Sequence, residues 1–234
     1  MKERGLCFST ALVPAVLDGQ KFVTRRLGGL SKYNINPDRW HIEAHPGGGF
    51  WATDGDPDEV RGHLRDDCGF KCPQGVPGDR FYMRETWCPE ELKNGFDGIR
   101  YRADNKFTGI KDSISAAEAW SRVNDGPAGW RSPRFMPKWA ARPQRWEIVS
   151  IRPERVQDIT DADAIAEGVG YGFTMNAGWP DYLHIENGHC TLTQDTARIS
   201  FATLWDSINA KRGYGFGRNN WVWRIEWNPE PVEA

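Results

Sequence analysis

Hydrophobic and polar positions alternate most cleanly near the C-terminus, where Trp221, Trp223, Ile225 and Trp227 share one side of a predicted closing strand. The same period over Arg80 to Trp87 predicts a strand with Phe81, Met83 and Glu85 on one face, entered through the turn Val76-Pro-Gly-Asp79. Glu85 then shares an apolar face, where a carboxylate needs a partner. Trp146 to Ile151 and Arg4 to Ser9 read as further strands, and Val13 to Asp18 as a brief helix stopped by Gly19.

Two more helices follow from caps and periodicity. In Ile159 to Gly168, Thr160 caps, Asp161 and Asp163 complement the N-terminus, and Gly168 ends a helix with Glu167 on its last turn. Thr191 to Trp205 or slightly beyond reads as the longest helix, with Ile199, Ala202, Trp205 and Ile208 on one face.

Two stretches rich in Gly, Pro and Asp interrupt this pattern, at about 28–75 and 89–137. The first carries a predicted hairpin, Trp40 to Ala44 against Gly49 to Ala52, and reads as an insertion on a core. The second carries a short strand at Gly98 to Arg102 and a helical patch at Ser115 to Trp120. Mixed strands and helices over 234 residues predict one α+β domain with loop-rich insertions.

Composition narrows the partners. No stretch approaches the roughly 18 apolar residues of a spanning helix, and Met1 to Phe8 lack the apolar core of an export signal, so a cytoplasmic protein with no membrane partner is expected. Five scattered cysteines do not suit a disulfide framework. A net charge of -2 confines any polyanion contact to a local patch. Of the 30 basic residues 21 are Arg, and there are 12 Trp; both suit planar recognition of nucleotides, as they also suit solvated charge and core packing.

The densest polar constellation is Lys21, Thr24, Arg25 and Arg26, just past the stop at Gly19. Lys and Thr can form a base and nucleophile pair, but an ordinary ammonium near pKa 10.4 must be brought down to about 7–8 by burial and neighbouring cations, which costs roughly 3–5 kcal/mol. Local spacing alone favours a solvated Lys and a hydrogen-bonded turn Thr. His41-x-x-x-His45 and Cys68-x-x-x-Cys72 have ligand-like spacings, yet they match no standard zinc finger, and free thiols and surface histidines account for them. Neither a phosphate-binding P-loop nor a Gly-x-Ser-x-Gly elbow is present.

Gly19-x-Lys21-x-x-Thr24-x-Arg26 resembles the signature of ASCH domains, which belong to the PUA-like superfamily of β-barrels. Pro77-Gly-Asp79 before a strand, Ile159-Thr160 leading to Ala164-Ile-Ala-Glu167-Gly168, and the closing strand recur in the family's order. Arg84-Glu-Thr-Trp87, Met136-Pro-Lys-Trp139 and Leu204 to Asn209 look like its longer, phage-associated branch. The resemblance implies a PUA-like mixed β-barrel with short flanking helices, in a bacterial or phage-infected cell.

Compact members of that family hydrolyse the amide of N4-acetylcytidine with a Lys, a Thr and a Glu, so the resemblance implies Lys21, Thr24 and Glu167 as the catalytic set, without metal or cofactor. It further implies a nucleoside or single-stranded nucleic acid as partner, with RNA or modified-base binding without turnover as an alternative and ribonuclease activity as another. Arg25, Arg26, Glu85 and Trp87 are candidate substrate contacts: Glu85 can accept from an exocyclic amine and Trp87 can stack on a base. Pairing of Glu85 with Arg84 or Arg26, and a core position for Trp87, is the competing reading. No fibre repeat or coiled-coil heptad supports a virion-assembly role.

Overall fold

The computed structural model describes residues 1–45, 48–54, 70–126, 128–170, 178–186 and 189–232. The chain runs β1 (Glu3–Cys7), α1 (Val13–Leu17), β2 (Val23–Arg26), β3 (Trp40–Ala44), β4 (Phe50–Asp54), β5 (Arg80–Arg84), β6 (Trp87–Glu91), β7 (Asp97–Tyr101), β8 (Phe107–Gly109) and α2 (Ile114–Asn124). It continues through β9 (Arg145–Arg155), α3 (Asp161–Ala166), the two-residue strands β10 (Trp179–Pro180), β11 (Ile185–Glu186), β12 (His189–Cys190) and β13 (Thr193–Gln194), α4 (Ala197–Asn209) and β14 (Trp221–Trp227). The class is α+β, as expected.

A five-stranded mixed sheet in the order β1-β5-β9-β14-β2 organises the molecule. β1 and β5 are parallel, and the remaining pairs are antiparallel. β1 and β2 are its two edges and no ladder joins them, so the sheet does not close into a barrel. One side chain crosses that seam: Arg26 Nη2 on β2 donates to the Cys7 carbonyl on β1 at 2.7 Å.

The alternation of β14 is realised, with Trp223, Ile225 and Trp227 buried together with Phe81, Met83 and Trp146 in the main core. Val222 on the other face is equally buried, because α3 and α4 cover it through Ala164, Phe201 and Trp205. β14 is therefore a central strand sealed on both sides.

Three expectations change. The strand begun at Arg80 ends at Arg84, and β6 starts anew at Trp87 and pairs with β7 and β8 in a separate sheet. The longest helix begins at Ala197, capped by Thr196 accepting from Ile199 N, since Thr193–Gln194 pairs with β10 instead. Its buried line is Ala197, Phe201 and Trp205, whereas Ile199 and Ile208 are exposed.

The stretch at 28–75 is not a peripheral insertion either. Leu30, Tyr33, Ile42, Ala52 and Cys72 are buried in the main core, and β3 pairs with β4 in the expected hairpin. The stretch at 89–137 does build its own small core, from Trp87, Ile99, Tyr101, Trp120, Met136 and Ala140.

No helix among the described residues is long and apolar enough to cross a membrane. Cys7, Cys72, Cys88 and Cys190 are free thiols.

Candidate active site

Lys21 reaches its place because α1 ends at Gly19, whose φ of +69° turns the chain back on itself. The Lys21 amide then donates to Ala15 O at 2.8 Å, and Phe22 N to Ala166 O at 3.1 Å, which ties the turn to the end of α3. Glu167 is the C-terminal cap of α3, and Gly168 follows at φ +86°. Two helix ends, both stopped by glycine, thus meet beside the start of β2.

There the Lys21 ammonium donates to Glu167 Oε2 at 2.5 Å, to the Glu167 carbonyl at 2.7 Å and to the Val23 carbonyl at 2.8 Å. The Glu167 carbonyl is one that the end of α3 leaves without a helical partner, so the cation satisfies it. Lys21 is 1% exposed. Burial pulls its pKa below the ordinary lysine value; Glu167 opposes this, and the charges of Arg26 and Arg25 add to the lowering.

Thr24 and Arg25 alternate across β2. Thr24 pairs with Ile225 and Arg25 with Arg224; residues paired directly across an antiparallel ladder share a face, which puts Thr24 on the core side and Arg25 toward α3. Arg25 is held by three carboxylates: Nε to Glu154 Oε1 at 2.7 Å, Nη2 to Asp163 Oδ2 at 3.0 Å and Nη1 to Glu167 Oε1 at 3.4 Å. Asp163 also accepts from Arg224 at 2.9 Å. Burial alone would raise the Asp163 pKa, but these two guanidinium groups outweigh it and hold the carboxyl below its ordinary value.

Lys21, Thr24, Arg25, Arg26 and Glu167 line one cleft of about 500 Å³, to which α4 contributes Phe201 and Trp205. That volume falls within the roughly 300–1,000 Å³ typical of small-molecule sites. Arg26 lies with its guanidinium 5.5 Å from the Phe8 ring centre, and its Nε is buried with no partner among the described residues. Burial lowers its pKa first, against the pull of Glu167.

Glu85 and Trp87 lie elsewhere, which corrects their assignment as substrate contacts. Glu85 is fully buried and receives Arg142 Nε at 2.6 Å and Nη2 at 3.1 Å, an ion pair extended to Asp104 at 2.8 Å. Its partner is thus neither Arg84 nor Arg26. Burial raises the Glu85 pKa and Arg142 only partly offsets that. Trp87 is fully buried in the second core. The corner after Arg84 turns both away from the cleft.

The metal spacings are not assembled into a centre. His41 lies 3.9 Å from Glu43, both side chains being well exposed, and His45 packs on Trp51 at 4.9 Å between ring centres. The Cys72 thiol donates to Gln74 at 3.0 Å, its pKa pushed up to about 11 by burial. Cys68 lies outside the described residues, and among those residues no cluster of three or more potential ligands occurs.

Sequence reasoning missed Glu154, Asp163 in its role as an Arg25 partner, and the α4 wall. A larger cavity of about 830 Å³ sits beside α2, but its described wall holds Lys111, Lys138 and Arg145 with no carboxylate, thiol or imidazole to exchange protons with. The chain matches no family model, no curated protein and no solved structure, so the chemistry of the cleft rests on its own geometry.

Proposed function

We propose that the protein is an ASCH-type amidohydrolase acting on an N4-acylcytidine-like nucleoside. The observation that carries this reading is the meeting of Lys21, Thr24 and Glu167, from three separate segments, on the wall of one nucleoside-sized cleft. Burial and the charges of Arg26 and Arg25 pull the Lys21 pKa down, the direction in which an amine becomes a base near neutral pH, with Glu167 opposing them and standing within reach of the proton.

In this scheme Thr24 Oγ1 attacks the acyl carbonyl carbon while its proton passes to Lys21. Collapse of the tetrahedral intermediate breaks the carbon–nitrogen bond, and the exocyclic nitrogen leaves as the amine with a proton returned from the Lys21–Glu167 pair. Water then adds to the acyl-threonine ester, releasing the carboxylic acid and restoring the hydroxyl. The buried Nε–H of Arg26 is a donor toward the oxyanion.

The open five-stranded sheet, with Arg26 bridging its edges, is read as a PUA-like barrel whose seam is held by a side chain. A cytoplasmic location and a nucleoside or single-stranded nucleic-acid partner belong to the same proposal.

One observation favours the alternative, a module that binds a modified base without turnover: all three Lys21 protons are already accepted, as they would be for an ammonium that only supports the fold. Incubation with a panel of N4-acylcytidines separates the two. Release of cytidine by the wild-type protein, lost in Lys21→Ala and Thr24→Ala variants that stay folded, is the expected result. Binding without product, or full turnover by Lys21→Ala, overturns the catalytic reading.

A further inference from the structure

From Gly126 to Trp146 the chain carries five cations, Arg131, Arg134, Lys138, Arg142 and Arg145, and no carboxylate, although its net charge is -2. Within this stretch Met136 and Ala140, four residues apart, are buried in the second core. Their neighbours Phe135 and Trp139, also four apart, are left in water at 70% and 41% exposure. The backbone that carries them is held in place: Arg84 donates Nε to the Met136 carbonyl at 3.1 Å and Nη2 to the Arg134 carbonyl.

This segment links two spaces. Pro133 lines the Lys21 cleft, and Lys138 and Trp139 line the groove of about 830 Å³ beside α2. A chain spans at most about 3.6 Å per residue, so Pro133 and Lys138 lie within roughly 18 Å of each other, with Phe135 between them in sequence. The described wall of the groove holds Lys111, Lys138 and Arg145 and no carboxylate. Lys138 and Arg145 share Glu3 as their acidic partner, which leaves one positive charge over. The side chains of Lys111 and Arg134 have no acidic partner among the described residues.

We propose that Phe135, Trp139 and the cations beside them bind a single-stranded nucleic acid, so that the acylated cytidine enters the cleft as one base of a strand. The inference rests on the amidohydrolase reading of the cleft and adds to it the form in which the substrate arrives. Exposed rings interleaved with cations match such a strand: neighbouring bases stack on the aromatic faces while phosphates meet Lys111, Arg134 and Lys138. An acidic peptide uses the cations but leaves the rings in water. Because Met136, Ala140 and Arg84 already fix the backbone, little ordering cost opposes binding.

The test compares kcat/KM for N4-acetylcytidine as a free nucleoside and within single strands of about six nucleotides, RNA and DNA, on the whole protein. The expected result is a strand preference of tenfold or more. Phe135→Ala and Trp139→Ala, both exposed positions, should each lower kcat/KM on the strand by about fivefold or more and leave the nucleoside unchanged. Anisotropy of a labelled unmodified strand should weaken with salt, and Arg134→Ala and Lys111→Ala should each reduce the log–log slope by about 0.7. A nucleoside turned over as well as the strand overturns the proposal, as does an oligoglutamate of equal charge that displaces the labelled strand as well as an unlabelled strand does. Absence of Lys21-dependent release from both substrates overturns the amidohydrolase reading and the placing of the base with it. The anisotropy of the same variants then still decides whether these residues hold a strand.

Discussion

Lys21 Nζ and Glu167 Oε2 stand 2.5 Å apart although 146 residues separate them in the chain. Both side chains are almost wholly withdrawn from water, at 1% and 6% exposure. Such a pair must offset two desolvation costs, here with the help of two backbone carbonyls and Arg25, and apolar groups of similar size often do as well or better. Function rather than stability is the more natural reason for keeping it. Glu167→Leu, which leaves the buried ammonium its two backbone carbonyls but no paired carboxylate, is expected to lose about 3–5 kcal/mol. The double variant Lys21→Met/Glu167→Leu is expected to regain most of that while remaining inactive. Urea unfolding of the single and double variants measures the coupling; a double variant no more stable than Glu167→Leu contradicts this account.

Asp163 gives the acid side of the stability profile a definite sign. Its folded-state pKa lies below the ordinary 3.8, because Arg224 and Arg25 outweigh the effect of burial. A carboxylate depressed in this way binds fewer protons folded than unfolded. Its contribution is therefore complete above the ordinary value and disappears as pH falls through the depressed one. Urea midpoints followed from about pH 6 to about pH 2.5 should show a shallower acid limb in Asp163→Asn than in the wild type. Equal slopes would mean that the two guanidinium groups do not perturb Asp163.

What could be read from the sequence was local. The end of α3 announces itself through Thr160, whose hydroxyl accepts from Asp163 N at 3.1 Å, and through Gly168. Lys21 and Thr24 are legible because a glycine stop precedes them. The alternation of β14 points to its main-core face correctly, although the burial of Val222 and Arg224 on the opposite face depends on α3 and α4, which no period reveals. Glu85 was recognised as a carboxylate in need of a partner, but Arg142 lies 57 residues away and no spacing connects them. The start of α4 had several threonines able to cap it, and only the pairing of Thr193–Gln194 with β10 decides for Thr196. The clamp on Arg25 joins β2, β9 and α3, so it exists only after the sheet and helix have met.

Gly168 packs directly against Lys21, next to Glu167 in the chain. At φ +86° a side chain is strained, and an added Cβ would stand 3.4 Å from Lys21 Cβ and 3.3 Å from Leu12 Cδ2. Gly168→Ala is expected to cost about 1–2 kcal/mol from the backbone alone. It is also expected to push Lys21 relative to Glu167. A fall in kcat beyond what the loss of folded protein explains, seen in parallel urea melts and initial rates at saturating substrate, supports this positioning. A variant with reduced stability and unchanged kcat refutes it.

Trp87 separates a core residue from a stacking platform. Its ring is fully buried, and its Nε1–H has no partner among the described residues. Trp87→Phe loses packing volume but removes a buried unpaired donor, whose burden is about 1–3 kcal/mol, so the two effects oppose each other and the net stability change should be small. Trp87→Ala lacks that compensation in volume and should lose about 3–5 kcal/mol, as large aromatic deletions in cores do. Neither should change KM for an acylated nucleoside, since the ring does not line the cleft beside Lys21. Were Trp87 instead to stack on the base, Trp87→Ala would weaken binding by about 1–3 kcal/mol for that base, an increase in KM of fivefold or more at unchanged kcat. Steady-state kinetics on Trp87→Ala, under conditions where it remains folded, together with thermal unfolding of both variants, decides between the two roles.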